Sequence, residues 1–139
     1  MACTGRYAKN WSLSTTKDLR TERAKHYKDL WAATELLAKY SPPEVITKVS
    51  LLKLATTLRH WYFAGGGIFL SDDARDAYFD LQDRIVSALA AVEKQAEEMQ
   101  LNAEHVKPVR RASSHLRTVL TLDIGSRNNP LLKEGDGEA

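Results

Sequence analysis

This chain is short of the residues that staple, ligate or span. One cysteine, Cys3, stands among 139 residues, so neither a disulfide framework nor a cysteine-based metal site is open to it. The uncharged run from Trp61 to Ser71 is too short to cross a bilayer and is broken by three glycines. No apolar stretch of the kind that exports a protein follows Met1. The expectation is a cytoplasmic protein with no direct membrane insertion. No G-x-x-x-x-G-K-[ST] and no G-x-G-x-x-G occurs, and the four histidines form no two-histidine motif on one helical turn. No cofactor is expected.

Charge, by contrast, is plentiful and segregated behind a net of only +2. Residues 1–62 carry 11 Lys/Arg against 5 Asp/Glu, residues 63–104 carry 3 against 9, and residues 105–127 carry 5 against 1. A nucleic-acid binder gathers its basic excess on one face. Here the acidic middle is expected to neutralise its basic neighbours within the fold.

The apolar pattern has a helical period throughout. Residues 1–13 have no such period and read as a flexible N-terminus. Thr15 and Asp18 are spaced as a capping box. After them Leu19, Tyr27, Leu30, Trp31, Thr34, Leu37 and Ala38 fall on one side of a first helix. Ser41-Pro42-Pro43-Glu44 predicts the start of a second helix running to Phe63, with proline at the first helical position. Val45, Val49, Leu52 and Phe63 share one of its faces, while Leu51, Leu54, Leu58 and Tyr62 cover another. A helix apolar on two sides is expected at the centre of a bundle.

Ser71, with Asp72 and Asp73 at the positive end of the helix dipole, predicts a third helix extending to Met99 or Leu101. A connector at 102–107 then leads to a fourth helix with Pro108 in its first turn and Gly125 as its cap. Ile68-Phe69-Leu70 reads at most as a short extended piece. The whole predicts a compact all-α bundle of about four helices over residues 14–125, with a glycine-rich corner between helices 2 and 3. Residues 126–139 read as a disordered tail.

The stretch HWYFAGGGIFLSDDARDAYFDLQ, residues 60–82, carries most of the functional expectation. Glycines that cradle phosphate expose backbone N–H groups at a helix N-terminus. Asp72 and Asp73 occupy that end and would repel an anion, so Gly65-Gly66-Gly67 reads instead as a packed corner. Trp61, Tyr62, Gly65, Gly66, Gly67, Phe69, Arg75 and Phe79 are its partner-contact candidates, because buried aromatic and arginine anchors dominate interface energetics. Phe79 stands away from the core stripe and is expected to be covered by the corner.

Asp72, Asp76, Asp80 and Asp83 form an acidic ladder suited to an oxygen-ligated cation or, more simply, to a solvated face. His60, near Asp72 and Asp76, is a candidate for acid–base work. Lys107, Arg110, Arg111 and Arg117 line the non-core side of helix 4 and are candidates for phosphate contacts. Together these readings predict a non-enzymatic helical interaction or regulatory module with a protein partner or self-association. The alternatives are a nucleic-acid-associated regulator using the basic faces of helices 1 and 4, and a small helical enzyme centred on His60, Asp72 and Asp76.

Overall fold

The computed structural model describes residues 4–40 and 45–126, with side chains from Asp18 onward. Four helices follow in order: α1 (Thr4–Ala33), α2 (Lys48–Trp61), α3 (Asp72–Ala91) and α4 (Ala103–Ile124). A 3-10 turn, Thr34–Leu37, ends α1. Two short pieces, Tyr62–Gly66 and Gly67–Phe69, turn the chain from α2 into α3. Neighbours pack in the cyclic order α1, α2, α3, α4 and back to α1.

Each helix runs against the next. Trp61 Nε1 donates to the His26 carbonyl, Tyr78 Oη to the Leu58 carbonyl and Tyr27 Oη to Asp123. Among the described residues there is no strand, and the all-α bundle expected from the periodicity is what forms.

The core is built from one stripe per helix. Tyr27, Leu30 and Leu37 come from α1 and its turn, and Leu51, Leu54 and Leu58 from α2. Leu81 and Ile85 of α3 meet Val109, Leu116 and Leu120 of α4. Spacings of three and four residues keep each set on one side of its helix. Burying each large side chain stabilises by about 1.5–3 kcal/mol. The predicted caps at Ser71, whose Oγ accepts from Ala74 N–H at 3.1 Å, and at Gly125, with φ 71°, are in place.

Several boundaries differ from the sequence reading. Helix α1 is already helical at Thr4, upstream of Thr15 and Asp18. Once nucleated, a helix extends at little cost per residue until a breaker intervenes. Residues 41–44 and 127–139 lie outside the described residues, and with them the Ser41 cap and nearly all of the predicted tail. Helix α2 starts later, at a reciprocal cap in which Ser50 N–H donates to Thr47 Oγ1 and Thr47 N–H donates to Ser50 Oγ. Helix α3 ends at Ala91, well before Met99, because Val92 and Leu101 are drawn into the core. Leu101 N–H donates to the Ile46 carbonyl, and Lys48 Nζ holds the carbonyls of Glu93 and Gln95. Helix α4 begins at Ala103 behind an Asn102 cap, leaving Pro108 inside it, where it forfeits one backbone hydrogen bond. Ile68 and Phe69 form a helical turn, not an extended piece.

The largest departure concerns α2. Its Leu51–Leu54–Leu58 face is buried, but Val45, Val49, Leu52 and Phe63 face solvent. The helix is a wall of the bundle with a second apolar face left over, not the hub that two apolar faces predicted.

Candidate functional site

Three consecutive glycines are needed at the corner for three separate reasons. Gly65 has φ 127°, a conformation that side-chain-bearing residues rarely adopt. A Cβ on Gly66 would fall within the Trp61 indole. One on Gly67 would lie 2.7 Å from the Tyr62 ring. The two rings fill the space that a phosphate cradle would leave open, and the glycines let them fold back over the backbone.

The corner is fastened from behind by a polar knot. Ser71 Oγ donates to Asp123 Oδ2 at 2.6 Å. The Tyr27 hydroxyl lies 2.8 Å from the same oxygen and 3.1 Å from the Phe69 carbonyl, sharing one proton between them. It accepts from Ser71 N–H at 3.2 Å. Arg23 Nε donates to the Phe69 carbonyl at 2.8 Å, and the His26 ring stacks on Phe69 at 4.6 Å. Burial, reinforced by the Asp123 carboxylate, pushes the Tyr27 phenol up to about 12.

In front of the knot stands a run of aromatic rings. Tyr62 stacks on Tyr78 at 5.2 Å and lies 5.7 Å from Phe79, while Phe63 meets Tyr62 edge-on at 5.1 Å. Tyr78 is buried, its hydroxyl donating to Leu58 and accepting from Gln82 Nε2, and burial raises its pKa. Phe79 is only half covered, at 45 % exposure. Tyr62 and Tyr78 shield one edge, so the expected cover comes from tyrosines rather than glycines and is incomplete. Phe63 is 76 % exposed beneath the Arg59 guanidinium. Val49 and Leu52 of α2 and Val86 of α3 also face solvent.

The other candidates are placed elsewhere. His60 is exposed and has no ion pair or hydrogen bond to Asp72 or Asp76. Asp72 pairs with Arg75 at 3.8 Å and Asp80 with Arg84 at 3.4 Å, both on the surface. Asp76 and Asp80 border a shallow cleft with His115 and Asp123. No group of three or more ligand-type side chains suited to a metal occurs among the described residues. The ion pairs found there each lie within a single helix, and none joins the acidic α3 to a basic neighbour.

Lys107, Arg110, Arg111 and Arg117 do converge. All four line one cavity of about 950 Å³ between α4 and the end of α1. Arg110 and Arg117 are not simply on a solvated side. Arg110 Nη1 donates to the carbonyls of Leu37 at 3.0 Å and Ala38 at 2.6 Å. Arg117 Nη1 donates to Thr34 Oγ1 and Ser113 Oγ, and desolvation lowers its pKa.

Sequence reasoning missed Asp123, the acceptor at the centre of the knot, and Lys39 and Trp31, which join the basic residues at the cavity. Asp123 carried a signal. It is the single acid of residues 105–127 and sits at a helix C-terminus, where the dipole disfavours a carboxylate. Compared with protein-family models, with curated proteins and with solved structures, the chain matches none.

Proposed function

We propose that this protein is a helical interaction module that self-associates through the α2–α3 face. The observation behind this reading is the set of exposed apolar side chains on this side of the bundle: Val49 and Leu52 on α2, Phe63 just past its end, and Phe79 and Val86 on α3. Such side chains scattered singly need no explanation, but five on two adjoining helices and their corner favour a contact surface. The aromatic cluster at its corner end supplies the rigid anchors on which interface energy concentrates.

Charge supports a second copy as the occupant. Helix α2 carries Lys48, Lys53 and Arg59 and no acid, a charge of +3. Helix α3 carries five aspartates against Arg75 and Arg84, a charge of −3. No ion pair joins the two helices among the described residues. A two-fold axis along the bundle lays α2 of one copy over α3 of the other, so the two opposite charges meet while the apolar seams close. Isologous pairing of this kind is the commonest form of self-association.

Sedimentation of the full chain from about 1 to 200 µM tests the proposal, micromolar association being ordinary for a modest interface. The expected result is a reversible dimer that Phe63→Glu disperses without changing the melting temperature, since Phe63 is largely exposed. A monomer at every concentration would sink the reading.

A further inference from the structure

On the opposite side of the ring, between α1 and α4, lies the cavity of about 950 Å³. Its charge is unbalanced: the five cations Lys39, Lys107, Arg110, Arg111 and Arg117 face it against one acid, Glu35. None of the five cations makes an ion pair among the described residues. Positions 107, 110, 111, 114 and 117 share one side of α4, and Ser114 sets a hydroxyl among the charges. Ten helical steps, from 107 to 117, place those side chains along about 15 Å.

Two of the cations are pre-positioned. Arg110 grips the carbonyls of Leu37 and Ala38, and Arg117 bridges Thr34 and Ser113. These bonds tie α4 to the end of α1 and fix both guanidinium groups at the cavity wall. Lys107 and Arg111 are exposed beside them. A guanidinium held by its scaffold loses little freedom on meeting an anion, which favours binding. Keeping five such like charges together with only Glu35 as a counter-charge is costly, and a bound polyanion relieves that cost.

The remaining wall is apolar and aromatic. Trp31, 42 % exposed, stands at the junction with a smaller apolar pocket formed with Tyr27, Leu120 and Ile124. Its position on the apolar stripe of α1 predicted burial, yet it borders this space. An exposed indole beside clustered cations is the pairing used to hold a flat ring and its phosphates together. The volume is that of a small-ligand site, at the upper end of the usual range. A cavity of this volume and charge suits a small polyanion better than an extended acidic peptide, whose carboxylates are spread along a strand.

We infer that this cavity binds an aromatic polyphosphate, a nucleotide in chemical class, with its phosphates on Lys107, Arg111 and the two anchored arginines and its ring against Trp31. The same chemistry has two sources, a free nucleotide or a nucleotide within a single strand. The site is separate from the α2–α3 face and does not depend on self-association.

Titration of the full chain separates the sources. The probes are adenosine triphosphate without metal, inorganic tripolyphosphate, a twelve-residue oligothymidylate and polyglutamate. Adenosine triphosphate is expected to bind about tenfold or more tighter than tripolyphosphate, since ring stacking contributes on the order of 1–3 kcal/mol. Trp31→Ala should erase that difference while leaving tripolyphosphate binding in place. Arg111→Glu, at an exposed position, should weaken both by about tenfold or more with the melting temperature unchanged, as loss of a phosphate contact does. Tighter binding of the oligothymidylate with the same dependence on Trp31 supports the strand as the source. No binding of any phosphate, equal binding of nucleotide and tripolyphosphate, or preferential binding of polyglutamate overturns the inference.

Discussion

At the scale of single residues, Tyr27 shows how a core side chain acquires a polar duty. Its ring is buried with the apolar set of α1, while its hydroxyl reaches Asp123, Phe69 and Ser71. Tyr27→Phe keeps the ring but leaves Ser71 N–H without this acceptor and Asp123 and the Phe69 carbonyl with one donor fewer, so it should destabilise by about 1–3 kcal/mol in urea denaturation. The pH dependence has a definite sign. The folded-state pKa stands near 12, above the ordinary 10.0, so folding favours the protonated phenol. That contribution is complete below pH 10 and is lost as the pH rises from 10 through 12. The phenylalanine variant should therefore lose less stability than the parent over that interval, and parallel alkaline melting curves would count against the assignment.

At the scale of elements, the corner is an unusual helix junction. Tyr62–Gly66 keeps an almost helical course, departing at Gly65, and one more turn, Gly67–Phe69, follows before Leu70 and Ser71 extend and α3 restarts behind the Ser71 cap. Gly66 is the tightest point, where any side chain meets the Trp61 indole. Gly66→Ala should cost about 1–3 kcal/mol by overpacking. Indole fluorescence should shift with it, as Trp61 gives up its hydrogen bond to His26; an unshifted spectrum with unchanged stability would refute the packing argument.

How much of this was legible follows from what local pattern encodes. Buried stripes on α2, α3 and α4, the Ser71 cap and the Gly125 cap are written in spacing and residue type, and all were readable. The C-terminal end of α3 and α2's apparent second core face were not, because they depend on partners distant in sequence. Val92 and Leu101 turn inward against α2, and no neighbour covers Leu52. The glycine triplet announced a corner, but only the rings of Trp61 and Tyr62 explain why it has three members. The basic residues of α4 were legible as a line along one side of the helix; their convergence with Lys39 and Trp31 required knowing that α1 and α4 are neighbours.

At the scale of the whole molecule, the knot joins the beginning, middle and end of the described chain. Asp123 meets Tyr27 across 96 positions and Ser71 across 52. Closing loops of that length costs entropy before any contact returns it. The knot is therefore expected to form after the folding transition state. Asp123→Ala should speed unfolding by about tenfold or more, for a loss on the order of 1–3 kcal/mol, and leave the folding rate nearly unchanged. A chevron in which the folding limb moves instead would place the knot in the nucleus.

The cyclic order of the helices has one more consequence. Because the α2–α3 and α1–α4 pairs form opposite sides of the ring, two copies joined through the former carry their cavities on outward flanks. Such an assembly is bivalent. On a polymer displaying repeated phosphates, the second engagement would be intramolecular, and retention would grow by avidity without any new contact. On a free nucleotide the two flanks would act independently.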